Sequence, residues 1–239
     1  MITPLIGILM IVGVLVAALS ARSGGPISFF DVHAGIVVFG GVLGALLIAI
    51  DAGSLMRMLK SLRELLPSAS LLSRELFESK KGLEEIKAAW LAKQRGAVLG
   101  FADGGKTEEL RATADMLLRR VSKSELREGF TNLRTSYMHR ILPVIEGWEL
   151  VGKLAPSFGM VGTVTGMVQL FRNMGHNTDI GGAMAMALLA TLYGIALGAT
   201  VGGPMASRVN KQFNDRMALL DMMEQTTLAL LTESKKGGQ

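Results

Sequence analysis

Four strongly apolar stretches without Asp, Glu, Lys or Arg interrupt an otherwise polar chain of 239 residues. Each is close to the ~20 residues with which a helix crosses the ~30 Å hydrocarbon core of a bilayer. Strands are not expected there, because lipid offers no partner to unpaired backbone groups. The pattern therefore predicts four transmembrane helices, over Thr3–Ala21, Val32–Ile50, Leu154–Phe171 and Ala183–Ala206. The first lacks the basic start of a signal peptide, so a retained helix is expected.

The polar regions between and after these spans show apolar residues at helical spacing. The predicted helices are Leu55–Leu66 ended by Pro67, Glu84–Phe101 broken by Asp103–Gly105, one opening at Thr107, a long one from about Glu125 through Trp148 into the third span, and Arg208–Thr232. We therefore expect an all-α, polytopic membrane protein with four transmembrane helices and a large helical cytoplasmic region. The expected divisions are spans one and two with a short periplasmic turn (1–50), the cytoplasmic helical region (51–148), spans three and four (149–206), and a cytoplasmic C-terminal helix and tail (207–239).

Basic residues predict the orientation. The formal net charge is +5, and seventeen of the 25 Lys and Arg lie between Asp51 and Trp148. Those nearest the membrane follow the second and fourth spans: Arg57, Lys60, Arg63, Arg208, Lys211 and Arg216. The positive-inside rule then places both termini and the main polar region in the cytoplasm. Lys and Arg alternate with Glu and form no aromatic-interleaved patch, so no nucleic-acid partner is expected.

Composition and motifs argue against an enzyme or a metal site. Cysteine is absent, and the three histidines, His33, His139 and His176, share no ligand spacing. No phosphate-binding loop, nucleophile elbow or zinc-protease motif occurs. The prediction is a non-enzymatic membrane protein without cofactor, and no catalytic residue is assigned.

Small residues and threonines mark one face of each of the last two spans. The predicted helix-packing positions are Gly159, Gly166, Gly194 and Gly198, because small residues let helix backbones approach closely in lipid. Thr163 and Thr191 add hydroxyl groups to these faces. One interpretation is that each hydroxyl bonds its own helix backbone. The other is that the two hydroxyls meet a hydrated ion or the carboxylate of a partner.

Two prolines lie near opposite ends of these spans, Pro156 in the third and Pro204 in the fourth. Because the two helices are antiparallel, both prolines are expected on the cytoplasmic side. They are either a simple helix start and kink, or a hinge that passes motion between the membrane and the cytoplasm.

The last two spans also carry a family resemblance. LAPSFGMVGTVTG (Leu154–Gly166) followed by AMAMALLATLYGIALG (Ala183–Gly198) resembles the MotA/TolQ/ExbB proton-channel family, and IVVFGGVLGALLIAI (Ile36–Ile50) resembles its second span. The resemblance is closest to the flagellar stator subunits of that family. It implies a bacterial inner-membrane protein that forms a ring, expected as a pentamer, around a dimer of a MotB-like partner. That partner has a single span with an ion-carrying Asp, and the translocated ion is H⁺ or Na⁺.

The resemblance also assigns roles to residues. Pro156, Thr191 and Pro204 match positions that face the partner Asp or couple its titration to movement. Thr163 matches a threonine associated with sodium use, whereas Ala190 departs from the double threonine of the sodium-driven stators. Ala190 and the two threonines are thus the predicted ion-path positions. Protons are favoured, and the choice of ion stays open.

In the stator subunits, a basic and an acidic residue on a cytoplasmic helix contact the rotor protein FliG. The resemblance places Lys93 or Arg95 at the basic position and Asp103 near the acidic one, while a solvated helix face is an equal interpretation. An alternative function is an ExbB/TolQ-like subunit that energises outer-membrane transport or gliding. A self-sufficient channel and a structural scaffold are further alternatives.

Overall fold

The computed structural model describes residues 31–62, 71–173 and 180–236, together with Met10. In these ranges every regular element is helical. The helices are α1 (Val32–Ala49, with a π-helical turn at Ile36–Gly40), α2 (Ala52–Ser61), α3 (Leu71–Leu91), α4 (Arg95–Gly104), α5 (Glu108–Arg119), α6 (Lys123–Asn173), α7 (Ile180–Leu197) and α8 (Gly203–Lys236), with a π-helical turn (Gly198–Gly202) joining the last two. The all-α fold class is confirmed.

Three helices among the described residues are long and apolar enough to cross a membrane. They are α1, a segment of α6, and a segment of the helix that runs from Gly181 to Glu233 through α7 and α8. They contain the third and fourth predicted spans and all of the second except Ile50, which follows the end of α1. The first predicted span lies outside the described residues except for Met10, and so do Pro67 and the outer turn at 174–179.

The chain divides into two compact units. The first comprises Met1–Ala69 and Leu142–Val209, and the second comprises Ser70–Ile141 and Asn210–Gln239. The long helices α6 and α8 each contribute residues to both units. The helix α2, which the sequence places in the region 51–148, belongs to the first unit with the apolar helices.

In the first unit, side-chain caps fix where α1 and α2 begin. The Asp31 carboxylate accepts hydrogen bonds from the backbone N–H groups of His33 and Ala34 at 2.8 and 3.0 Å. After α1, Ile50 is extended, and the Asp51 carboxylate accepts a 2.9 Å bond from the N–H of Ser54 at the start of α2. Such caps satisfy N–H groups that have no partner within the helix.

The second unit has a conventional apolar core. Its buried residues are Leu83, Ile86 and Ala89 from α3, Val98 from α4, Leu110, Ala114 and Leu117 from α5, Leu126 and Phe130 from α6, and Leu219, Leu220, Met223, Leu230 and Leu231 from α8. Five helices are therefore held together mainly by burial of aliphatic side chains, which contributes roughly 1.5–3 kcal/mol for each large one.

A capping box of Ser122 and Glu125 lies at the start of α6, which the sequence places at about Glu125. The Ser122 hydroxyl accepts a 3.2 Å bond from the Glu125 N–H, and the Glu125 carboxylate accepts a 2.7 Å bond from the Ser122 N–H. Hydrogen bonds from the Ser122 backbone N–H and then from its side chain hold the pKa of Glu125 below its usual 4.5, because they stabilise the ionised carboxylate.

The predicted helix Glu84–Phe101 is wrong in one respect, because the chain breaks inside it. The helix α3 ends at Leu91 and α4 begins at Arg95. Between them Lys93 adopts a left-handed conformation with φ 57°. The Gln94 N–H donates to the Ala89 carbonyl at 2.9 Å, which closes the turn at the helix end. No glycine or proline signals this reversal, because a lysine occupies the left-handed position.

A buried ion pair joins α5 to α8 within the second unit. The Arg216 guanidinium donates to the Glu109 carboxylate, with Nε 2.9 Å from Oε1. The two residues are only 8% and 6% exposed. The guanidinium also lies 5.6 Å from the centre of the Tyr137 ring, which stacks on Phe213. The sequence places Arg216 among the topology-setting basic residues, whereas in the fold it is an internal ionic contact.

Candidate functional site: the interface of two uncharged helices

The helices α6 and α7 meet through glycine and alanine over several turns. A Cβ added at Gly159 would lie 3.0 Å from the Ala190 carbonyl oxygen and 3.1 Å from the Thr191 Cα. A Cβ at Gly166 would lie 2.7 Å from the Ala187 Cβ. All four predicted packing glycines lie in this interface, where Gly194 faces the Ala155 carbonyl and Gly198 the Gly152 carbonyl. The backbones are therefore too close to admit larger side chains.

Thr163 and Thr191 face each other in the middle of this interface. Their hydroxyl groups are within hydrogen-bonding distance of one another. Both also reach the same backbone oxygen, since Thr163 Oγ1 donates to the Gly159 carbonyl at 3.1 Å and Thr191 Oγ1 lies 3.3 Å from it. Thr163 therefore bonds its own helix backbone, as in the first interpretation, whereas Thr191 bonds across the helix pair. Contact with a hydrated ion or with a partner carboxylate remains a prediction. Both residues are half-buried.

This arrangement determines which hydrogen bonds remain available. Two hydroxyl groups carry two protons and four lone pairs. The Gly159 oxygen and the neighbouring hydroxyl provide an internal acceptor for each proton. What remains are lone pairs, which accept hydrogen bonds or coordinate a cation. A neutral carboxylic acid or a hydrated cation therefore binds without disturbing the cluster. Binding a carboxylate requires a hydroxyl to give up its internal acceptor.

Ala190 lies on the side of α7 that packs against α1. It is 0% exposed and packs with Ala34 and Val38 of α1. Its methyl group occupies the space where Gly162 would carry a Cβ. Ala190 therefore contributes to the three-helix contact of α1, α6 and α7, and its side chain presents no surface to a partner. A second threonine there would need room that Gly162 and α1 do not leave.

The two prolines change the backbone hydrogen bonding at one end of the interface. Pro156 has no N–H, so the Gly152 carbonyl lacks its partner within α6. A Cβ on Gly198 would lie 2.9 Å from that oxygen. Pro204 follows the π-helical turn, in which the Gly203 N–H donates to the Gly198 carbonyl five residues earlier. The wider turn gives the proline ring room beside the carbonyl of Thr200.

A groove of about 460 Å³ opens beside these prolines. It is lined by Glu149, Gly152, Lys153, Pro156, Ile195, Gly198, Ala199, Gly203 and Ala206. Lys153 Nζ lies 3.3 Å from the Glu149 carboxylate, so a charged pair borders an otherwise apolar groove. Pro156 lines this groove directly. Pro204 lies in the first turn of α8, whose residues Gly203 and Ala206 also line the groove.

The predicted rotor-contact residues are all exposed in the second unit. Lys93 lies in the turn between α3 and α4, Arg95 is the first residue of α4, and Asp103 is near its end. Arg95 and Asp103 thus share one helix, eight residues apart, whereas Lys93 does not lie on a helix. No group of three or more potential metal ligands occurs among the described residues.

Two contributors to the interface were missed by sequence reasoning. Gly162 admits the Ala190 methyl group, and it had a signal, because it continues the small-residue steps of Gly159 and Gly166. The Tyr193 hydroxyl accepts a 3.2 Å hydrogen bond from the Asp31 N–H at the start of α1. That contact joins residues 162 positions apart, and no local pattern predicts it.

Comparison with known proteins gives a consistent result. Residues 103–222, half of the chain, match the MotA/TolQ/ExbB proton channel family. Motility protein A of Aquifex aeolicus is 31% identical over 111 residues, which cover 46% of this chain and 37% of that protein. The chain thus spans little more than a third of this relative.

Two solved structures are similar in fold. The C. jejuni MotAB structure has a TM-score of 0.79 at 14% identity and covers 97% of this chain and 89% of the matched chain. The flagellar MotAB stator complex from Bacillus subtilis has a TM-score of 0.75 at 20% identity and covers 95% and 88% of the two chains. At these identities the likeness establishes the fold.

Proposed function

Because this chain belongs to the MotA/TolQ/ExbB proton channel family, we propose that it is an ion-conducting stator subunit of the bacterial flagellar motor. It couples ion flow through a complex with a MotB-like partner to torque on the rotor. The relatives named motility protein A and the fold shared with MotAB stators support this assignment. The proposal gives the chain no catalytic residue and no cofactor.

The observation that carries the proposal is the Thr163–Thr191 hydroxyl pair between the uncharged segments of α6 and α7. The pair offers lone pairs and no ionisable group. It therefore fits a carrier whose protonated form donates a hydrogen bond and whose ionised form does not. An Asp on a partner helix has this property, and ionising it in a membrane is costly.

The titrating group is assigned to a partner subunit, because the apolar segments of α6, α7 and α8 contain no charged residue. No Asp, Glu, Lys or Arg lies within residues 154–171 or 183–206. We assign the titrating carboxylate to a single-span, MotB-like subunit. Copies of this chain surround a dimer of that subunit as a ring, which we propose to be a pentamer in contact with membrane lipid. The solved relatives named as MotAB complexes support a MotB-type partner and an oligomer.

The proposed cycle alternates between two states of the partner Asp. When the Asp is protonated, its O–H donates to the Thr163–Thr191 pair. When it is ionised, that bond is lost and the partner helix prefers another position on the ring. Pro156 and Pro204 pass the step to the cytoplasmic helices, and Lys93, Arg95 and Asp103 contact the rotor protein FliG.

The proposed location is the bacterial inner membrane, with both termini and the second unit in the cytoplasm. The apolar helices α1, α6 and α7 support the membrane location, and the basic residues after the second and fourth spans support the orientation. We propose H⁺ as the translocated ion. Ala190 supports this choice, since it stands where the sodium-driven relatives carry a second threonine.

The test is ion flux in liposomes. The purified chain is reconstituted alone and together with its MotB-like partner, and internal pH is followed after a proton gradient is applied. We expect flux with both subunits and none with the chain alone. Flux from the chain alone would contradict the proposal and support a self-sufficient channel. Flux that depends on sodium instead of protons would overturn the choice of ion.

Deleting the gene tests the process that the ion flow drives. The expected result is cells with assembled but non-rotating flagella, restored by the wild-type gene. Cells that swim normally and lose outer-membrane uptake or gliding would support the ExbB/TolQ-like alternative. In a strain with several stator genes, all of them are deleted first, so that a redundant stator does not mask the result.

A further inference from the structure

The short helix α2 has three distinct faces, each following the helical steps of three and four residues. Ser54, Met58 and Ser61 form the inner face, which contacts the rest of the first unit. Ala52, Met56 and Leu59 form an exposed apolar face. Gly53, Arg57 and Lys60 form an exposed face with two positive charges. A helix with separate apolar and basic outer faces is typical of a membrane interface.

The inner face fixes α2 against α6. A Cβ at Gly147 would lie 2.6 Å from Ile50 Cδ1 and 2.8 Å from Met58 Sδ, so both residues press on the α6 backbone. The Trp148 indole N–H donates a 2.9 Å hydrogen bond to the Ser61 hydroxyl, which in turn donates to the Met58 carbonyl at 2.6 Å. The helix is thus packed and hydrogen-bonded against α6, only two residues after the helix α1 ends.

The apolar outer face has no cover within the described residues. Met56 is 55% exposed and Leu59 is 51% exposed. Both follow α1 directly, whose outer residues Leu47 and Ile48 are 60% and 90% exposed. The exposed apolar surface of α2 therefore continues the exposed apolar surface of α1, which points to the acyl-chain region of the bilayer as its environment.

Of the two positive charges on the basic face, Arg57 has an acidic partner, and none is found for Lys60 among the described residues. The Arg57 guanidinium donates to the Ser54 hydroxyl at 2.9 Å and lies 4.0 Å from the Asp51 carboxylate. Lys60 is exposed, and no ion pair formed by Lys60 is found in the described parts of the chain. Lys60 follows Met56 by four residues, so its ammonium group lies beside the apolar face. That is the position of a basic residue that reaches from acyl chains to a phosphate group.

We propose that α2 is a binding site for an anionic phospholipid of the adjoining leaflet. The acyl chains pack against Met56 and Leu59, and the headgroup phosphate pairs with Lys60. The inference rests on the proposed membrane placement of the chain, and it requires neither the partner subunit nor ion flow. Because Trp148 and Gly147 bind the inner face of α2, the lipid contacts an element that is firmly attached to α6.

Trp148 provides the measurement. The chain contains two tryptophans, Trp90 and Trp148, so a Trp90→Phe variant leaves one fluorophore, which is bonded to the end of α2. The full chain is reconstituted into phosphatidylcholine vesicles that contain the same fraction of brominated phosphatidylglycerol or brominated phosphatidylcholine. Bromine quenches nearby indole fluorescence. We expect the brominated phosphatidylglycerol to be enriched about fivefold at the site, because a basic residue near an anionic surface contributes about 1 kcal/mol.

Lys60→Gln is expected to bring the two brominated lipids to equal quenching, and Lys60→Arg to keep the preference. Lys153→Gln is the matched control, since Lys153 is exposed near the same membrane boundary and pairs with Glu149. It is expected to keep the preference. Equal quenching in the unmodified chain, or a preference that survives Lys60→Gln, would overturn the proposal. Loss of the phosphatidylglycerol preference in both Lys60→Gln and Lys153→Gln would indicate a general effect of surface charge. That result would also overturn the proposal. Because no flagellum or flux is involved, the result is independent of the stator assay.

Discussion

The methyl group of Ala190 fills the space in which Gly162 would otherwise carry a Cβ. One of the two residues must therefore lack a side chain for α6 and α7 to keep their separation. The contact also includes α1, because Val37 Cγ1 lies 3.7 Å from the same point.

Gly162→Ala is expected to destabilise the first unit by about 1–3 kcal/mol, because the added methyl group has no room. The measurement is the thermal unfolding midpoint of the purified chain in detergent. Combining Gly162→Ala with Ala190→Gly moves the methyl group to the other helix and is expected to recover most of the loss. Gly44→Ala is the control, since nothing lies within 4 Å of its added Cβ. Equal effects of Gly162→Ala and Gly44→Ala would contradict the tight contact.

Thr191→Val removes a hydroxyl and keeps the side-chain shape. We expect ion flux and swimming speed to fall at least about tenfold, since a hydrogen bond to a charged or proton-carrying group contributes about 1.5–3 kcal/mol. Thr191→Ser is expected to retain most activity. Thr165→Val is the matched control, because the exposed Thr165 hydroxyl bonds only to its own helix at Val161. Normal motility in Thr191→Val would favour a structural scaffold.

Arg216→Met is expected to destabilise the second unit by about 3–5 kcal/mol, because it leaves the Glu109 carboxylate buried without its partner. Adding Glu109→Leu removes the orphaned charge and is expected to restore most of the stability. Chemical unfolding of the full chain, followed by Trp90 fluorescence in a Trp148→Phe background, measures both variants.

The control for that series is Arg119→Met, which breaks the ion pair with Asp115. Its partners are 73% and 46% exposed, so a change below about 1 kcal/mol is expected. If the double variant were no more stable than Arg216→Met alone, the burial argument would be wrong.

The capping box at Ser122 and Glu125 predicts a pH dependence. The folded pKa of Glu125 is lowered, so its stabilising contribution is fully present above the ordinary value of 4.5. It is lost as pH falls through the lower folded pKa, because the protonated carboxyl is a weaker acceptor for the Ser122 N–H. We expect the difference in unfolding midpoint between wild type and Glu125→Gln to shrink over that range. A difference that is constant with pH would refute the assignment.

Sequence patterns predicted the elements whose causes are local. The apolar spans, the start of α6 near Glu125 and the glycine contacts of α6 and α7 follow from composition and spacing. The break at Lys93 was not predicted, because the left-handed turn is closed by the Gln94 N–H bond to the Ala89 carbonyl and no glycine marks its left-handed position. Lysine seldom adopts a left-handed conformation, so the sequence does not indicate a turn at this position.

Some residues of the candidate site were also predicted from the sequence, and others were not. The threonines and prolines were identified from their positions in the spans, and the structure brings the two threonines together. The orientation of Ala190 was not predictable, because the side of α7 that it occupies depends on where α1 packs. Contacts such as Tyr193 with Asp31 depend on the same long-range arrangement.

The absence of Asp, Glu, Lys, Arg and His from residues 34–49, 154–171 and 183–206 has an electrical consequence. Moving one elementary charge across 100 mV changes its energy by about 2.3 kcal/mol. Segments that hold no such charge gain or lose none of this energy when they shift. The voltage across the membrane therefore does no work on these segments directly. Any voltage dependence of their movement therefore comes from the translocated ion and the partner Asp, which carry the charge in the proposed cycle.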